Sequence, residues 1–486
     1  MPDPITRLNA APGASVDREA STPKELRPRW VAVLPFENLS DDPENAYFSD
    51  GITDDIITSV AHIQGLHVLS RTSSMQYKGI NRPVGEIARE LGVATVVMGS
   101  VRRSGSRVRV MAEVIDARSD DHLWTDTYDR ELQDIFQVQS EVASKIAEAV
   151  RRELSSVDRE RIKARGTNDP ESYDLYLRAR FLWNQRSEAS VSGSISYFQR
   201  ALGRDAGFSL AHSGLADAYT VLAIYGLRDP REVLESARDA AEAALSIDPK
   251  LGEAIAARAC IHAIYDWEWT TAEEGFTRAI ELAPSCATAY QWYAANLLAP
   301  RGRFIDARKQ LERAHDLDPA SSAISISQGI VTFYSRDLET ATKELEVLFT
   351  LHPGFALVYL FLGQCYELAG RLTSGAEMLQ RAVDLAEESS ETLAALAHCL
   401  GQAGRAPEAE AILKRLEERS GRRYVSPALL AQVLIGLGRI EDALDRLEEA
   451  ASSRATDLIW IGVRPVYDPL RGSPRFNAIE SLMGLS

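Results

Sequence analysis

Residues 357–385, LVYLFLGQCYELAGRLTSGAEMLQRAVDL, decide the fold. Apolar residues recur at helical spacing, and the stretch reads as two antiparallel helices. Gly363 and Gly375 lie 12 positions apart. In a helical hairpin those positions face each other, and small residues there let the two helices approach closely. Gly329 and Ala341, Ala397 and Ala409, and Ala431 and Ala443 repeat the relation. Outward from this unit, Ala237, Ala272, Ala307, Ala341, Gly375, Ala409 and Ala443 mark one position, in steps of 35, 35, 34, 34, 34 and 34 residues. Seven positions later come Ala244, Ala279, Ala314, Leu348, Ala382, Leu416 and Ala450, and Pro249, Pro284, Pro319 and Pro353 close four of the units. A fixed period of this length is the mark of a stacked repeat array.

The unit carrying Leu362-Gly363, Tyr366, Gly375 and Leu379 resembles the tetratricopeptide repeat, TPR. A looser unit uses Ser194, Phe198 and Ala201. The resemblance implies a solenoid of about eight units over residues 169–455. YGLRDPREVLE interrupts the second unit and DWEWT the third. Residues 456–486 are expected to cap the exposed apolar face of the last unit. In TPR arrays the concave side is lined from the first helix of each unit, which here implies a groove of Ile326, Ile330, Phe333, Leu357, Leu360, Gln364, Glu367 and His398. The Lys and Asn of a peptide-carboxylate clamp are missing from those positions. Such an apolar stripe suits a protein or peptide partner. It equally suits packing inside a tightly wound superhelix or against the N-terminal domain. Ile330, Phe333 and Leu360 would form an exposed patch in the first case only.

Residues 1–28 read as a flexible tail. Beyond them, WVAVLPF is a buried strand ended by Pro35, and Tyr47–Ile63 has helical spacing. Leu66–Leu69 is a short strand, Val84–Leu91 a helix, and VATVVMGSVRR with SRVRVMAEVID a hairpin about Ser104-Gly105. Asp134–Leu154 is an amphipathic helix. The order β-α-β-α-β-β-α describes a small α/β domain, bounded at 29–157. VAVLPFENLSDDPENAYFSDGITDDIITSV, GLHVLSRTSSMQYKG, ELGVATVVMGSVRRSGSRVRV and HLWTDTYDREL resemble, in this order, the TolB amino-terminal-like domain of bacterial regulators. In that family the domain often lies between an adenylate cyclase or winged-helix domain and a helical-repeat array. Residues 158–168, charged and without an apolar stripe, are expected to form a hinge between two independent pieces. The fold class is therefore α+β overall: a small α/β domain, then an all-α TPR solenoid.

At 486 residues the chain has room for about three domains. With 54 Lys+Arg against 70 Asp+Glu, its net charge is −16, which disfavours general nucleic-acid binding. Cys260, Cys286, Cys365 and Cys399 stand far apart, so no disulfide scaffold or zinc ribbon is suggested, and a reducing, cytoplasmic setting is expected. No apolar run reaches membrane-helix length. P-loop, GxGxxG, GxSxG and HExxH motifs are absent. Asp50, Asp54 and Asp55 could hold a divalent cation, but acids in a first helical turn explain them better. Arg102, Arg103, Arg107 and Arg109 gather at the hairpin, as an anion or acidic-partner patch or as a solvated face. The expectation is a non-enzymatic scaffold without cofactor, with a sensor or an effector-less cyclase relative as alternatives.

Overall fold

The structure is a computed structural model that describes residues 25–40, 42, 45–61, 63, 65–150, 166–185 and 188–485. Most of the expected tail, and residues 158–165 of the expected hinge, lie outside these.

WVAVLPF is buried on both faces of a mixed sheet, as a central parallel strand must be. The strands are β1 (Arg27–Val33), β2 (Glu37–Asn38), β3 (His67–Val68), β4 (Val93–Ser104), β5 (Arg107–Asp116) and β6 (Asp121–Glu131). Their order is β3-β1-β4-β5-β6, with β2 beside β4. β1 pairs in parallel with β3 and β4, while β4, β5 and β6 run antiparallel. β1 begins at Arg27, inside the stretch read as tail. β6 was not foreseen: DHLWTDTYDRE lies at the sheet edge, mostly exposed, so no apolar alternation marked it. Its acidic residues are the kind of charge that keeps an open edge from pairing with other chains.

Helices α1 (Ala46–Ala61) and α4 (Ile135–Ala149) bury Phe48, Ile52, Ile56, Val138, Val142 and Ile146 in one core with Val31, Val33, Val97 and Val110. The alternate residues Trp30 and Ala32 of β1, with Leu34 just beyond it, belong to a second core. It holds Ile87, Ala88 and Leu91 of α3 (Val84–Leu91) together with Tyr290, Ala314, Leu317 and Ile324 of the repeats.

Eight helical hairpins run from Pro170 to Ser452. A Cβ on Gly363 would meet the Leu379 side chain at 2.7 Å and the Gly375 carbonyl oxygen at 3.1 Å, so the two glycines do mark a close helix crossing. A second periodicity lies in the turns. Residues 302, 336, 370, 404 and 438 all have φ between 70° and 74°. Four are glycine, which adopts this left-handed turn without strain, and the fifth is Arg336. Gly472, 34 positions further on, has φ 91°.

That glycine marks residues 456–485 as a degenerate ninth unit. Its first helix is broken into two 3-10 turns, Thr456–Trp460 and Pro465–Leu470. Pro465 and Pro469 explain the break, since neither supplies a backbone N–H. The second helix, Pro474–Leu482, packs on the last full unit, where Arg475 reaches Glu441, Asp445 and Glu448. The cap was thus only part of this segment's role. The 3-10 turns cross the concave bore. Thr456 Oγ1 donates to the Ala223 carbonyl at 2.8 Å, Trp460 lies 4.7 Å from the Tyr334 ring, and Arg464 reaches Tyr334 and Glu391. Arg423 pairs with Glu188, so the seventh unit's end meets the first unit.

Candidate functional site

The concave positions are occupied by the chain itself. Ile326, Phe333 and Leu360 are 3%, 1% and 0% exposed, so the expected exposed apolar patch is corrected to internal packing. The physical cause is the packing of successive units on one another, since all three side chains belong to the continuous core of the repeats. Phe333 and Tyr334 meet Phe361 edge-on, and Tyr334 also packs on Trp460. Ile330, Leu357 and Gln364 remain half-buried. Glu367 and His398 are brought together: His398 Nδ1 lies 2.7 Å from Glu367 Oε1, both largely buried, joining the first helices of two successive units. Arg464 is the centre of the filled bore. It donates to Tyr334 Oη at 3.0 Å and to Glu391 Oε1 at 3.3 Å, and Ser426 Oγ donates to nearby Asp457 at 2.7 Å. Burial pushes the Glu391 and Asp457 carboxyls up, partly offset by Arg464.

The four hairpin arginines do not form one patch. Arg107 and Arg109 both bind Asp129 of β6, at 2.9 and 2.6 Å. Arg102 donates to the Leu39 carbonyl. Arg103 turns to the repeats, where it meets Asp174 at 2.6 Å on the first repeat helix, α5 (Pro170–Trp183). Tyr47 Oη and Arg178 Nε donate to the same carboxylate, and the three surrounding donors hold Asp174 below its ordinary range despite burial.

Asp54 and Asp55 are likewise interface residues, while Asp50 pairs within the α/β unit, and the helix starts too early for any of the three to lie in its first turn. Asp50 pairs with Lys78 and Arg71, and Asp54 with Arg180 of α5. Asp55 accepts hydrogen bonds from Tyr173 Oη and from Gln139 Nε2. A second joint lies at β3: Ser73 Oγ donates to Asp318 at 2.7 Å, Ser70 N to the Leu317 carbonyl, and Arg313 to His67 Nδ1. Thr167, in the expected hinge, is buried and donates to Asp205. The α/β unit and the repeats therefore share cores at two joints. The separate, hinged pieces expected from residues 158–168 are not what the described residues form. No local pattern announces the contacts across the two joints, because partners such as Arg103 and Asp174 or Ser73 and Asp318 sit 71 and 245 positions apart.

The Asp55 joint makes stability depend on pH. Burial pushes its carboxyl from 3.8 up to about 7, against the Tyr173 and Gln139 hydrogen bonds. The folded chain keeps a proton that the unfolded chain releases. That stabilisation is full below about pH 4 and is lost as pH rises toward 7, by at most about 4 kcal/mol. Asp55→Asn is expected to remove this dependence: between pH 5 and pH 8 its melting temperature should fall less than that of the natural chain. Equal falls would show that Asp55 ionises normally.

Two family models match the chain: HilA/YgeH-like transcriptional regulator, second domain, over residues 28–145, and tetratricopeptide repeat over residues 368–426. A protein provisionally named adenylate cyclase 3, of Rhizobium meliloti (strain 1021), is 45% identical over 186 residues, 38% of this chain and 32% of that protein. The transcriptional regulator HilA of Salmonella typhimurium is 23% identical over 213 residues, 42% of this chain and 38% of HilA. The chain thus spans about a third of the length of these curated relatives. PilW, a type IV pilus biogenesis factor of known structure, is similar over 45% of this chain and 98% of its own, at 20% identity and TM-score 0.34. The N-terminal unit is HilA-like, and the helical array contains TPR repeats. No helix of the described residues is long and apolar enough to cross a membrane.

Proposed function

We propose that this chain is a non-catalytic protein-interaction scaffold of a bacterial regulatory pathway, acting in the cytoplasm. The observation that carries the reading is the union of a HilA-like unit and TPR repeats through two shared joints. Such a body presents a fixed surface rather than two tethered modules. The order of segments quoted above supports kinship with TolB amino-terminal-like domains as well. Four free thiols, three of them buried, suit a reducing compartment.

The chain's own ninth unit lies against the first helices of the second, fifth and seventh units, so the partner is assigned to the rim beside it. There Ile330, Leu357 and Gln364 are incompletely covered. Arg107 and Arg109 are already engaged by Asp129, which makes the sheet face the weaker candidate. The test uses the full chain as bait in bacterial lysate, with crosslinks mapped by mass spectrometry and cAMP formation from ATP assayed in parallel. The expected result is a saturable protein partner, lost on Gln364→Arg and kept on Arg109→Glu, and no cAMP. Cyclase activity would overturn the non-catalytic reading. Loss of the partner on Arg109→Glu alone would move the surface to the sheet.

A further inference from the structure

The third repeat, like the fourth with its π-helical turn Ala294–Leu298, departs from the regular helical hairpin in its backbone. Its first helix, Gly252–Ile261, passes into a π-helical turn, His262–Asp266. Trp267 then takes φ 61°, 35 positions before Gly302, where four later units have glycine. A bulky residue rarely takes this conformation, and π turns recur at functional sites. What the strained turn achieves is a cluster. His262 Nδ1 lies 3.0 Å from Asp266 Oδ2 and 3.2 Å from Glu268 Oε2, and the three donor atoms lie within 4.8 Å of one another. Nδ1 is buried and makes no well-directed hydrogen bond.

The geometry points to a divalent transition-metal site formed by His262, Asp266 and Glu268. Two donors bound to one metal at about 2.1 Å lie about 3.0 Å apart in an octahedral arrangement and about 3.4 Å apart in a tetrahedral one. The distances from Nδ1 fall in that range. One imidazole with two carboxylates suits Zn²⁺ or Mn²⁺; Mg²⁺ and Ca²⁺ prefer oxygen alone. Arg238 Nη2 donates to the Asp266 carboxylate at 2.7 and 2.9 Å, an outer contact of the kind that orients ligating carboxylates. Its charge leaves the cluster at −1 with a neutral imidazole, so binding is weaker than in a closed four-ligand site. Glu268 is more than half exposed and gives the ion an entry. Arg454, just before the ninth unit, lies over the Trp267 ring and donates to the Tyr265 and Asp266 carbonyls at 3.4 Å. The ion would therefore brace the joint between the third unit and the end of the array.

The experiment is calorimetric titration of the tag-free, chelator-treated full chain with ZnCl₂ and with MnCl₂, MgCl₂ serving as the control. The expected result is one saturable equivalent that raises the melting temperature, weakened ~10-fold or more in Glu268→Gln and in His262→Gln. Glu268→Gln changes an exposed side chain and should melt like the natural chain without metal, so its loss of binding is not a loss of fold. Absence of saturable binding, unchanged affinity in Glu268→Gln, or equal competition by Mg²⁺ would each overturn the site.

Discussion

A chain shortened to end at Ser453 is expected to lose its cooperative fold, not to gain an open groove. Residues 456–485 place Leu458, Ile461, Tyr467, Leu470 and Phe476 at 0–1% exposure. Removing one such side chain typically costs about 2–5 kcal/mol, and a whole domain is stable by only about 5–15 kcal/mol. The loss also uncovers Tyr334, which packs on Trp460 and accepts from Arg464, and leaves Glu391 without Arg464. Because repeats couple through neighbours, the damage should spread from the seventh and eighth units into those the segment touches near Ala223 and Tyr265. Thermal unfolding followed by circular dichroism should show a broad transition at much lower temperature. If the shortened chain melts as sharply and as high as the full one, the segment is a detachable lid and the bore is the partner site after all.

The repeat was legible because it is local and periodic. Each hairpin closes on itself through residues 12 apart, and the steps of 34 and 35 expose it without any structure. The glycine turns at 302, 370, 404 and 438 carry the same period, and extending it to Gly472 would have revealed the ninth unit. β6 was illegible because an exposed edge strand needs no apolar face. The joints were illegible for another reason. Arg103 with Asp174, Ser73 with Asp318, and Arg464 with Glu391 are polar pairs set by how the solenoid winds, 71 to 245 positions apart. The hairpin arginines and the clustered aspartates drew notice as charge concentrations. Arg103, Asp54 and Asp55 hold the α/β unit on the repeats, and Arg107 and Arg109 hold the sheet to its edge strand.

Phe333→Ala separates packing from recognition at one residue. The ring is 1% exposed, 5.3 Å from Tyr334 and edge-on to Phe361 at 5.7 Å, and Tyr334 carries the contact on to Trp460. A buried Phe truncated to Ala costs about 3–5 kcal/mol of stability. An exposed aromatic anchor would leave stability almost unchanged and cost ~2 kcal/mol or more in partner affinity, about thirtyfold. The structure predicts the first outcome, a large fall in melting temperature, with partner affinity preserved at temperatures where the variant is folded. Ile330→Ala makes the contrast. Its side chain is only half-buried on the same helix, Ser322–Tyr334, so it should lose less stability and more affinity. A Phe333→Ala chain that melts normally would mean that this ring is not packed in the core of the repeats in solution. An Ile330→Ala chain with unchanged affinity would move the partner off the rim.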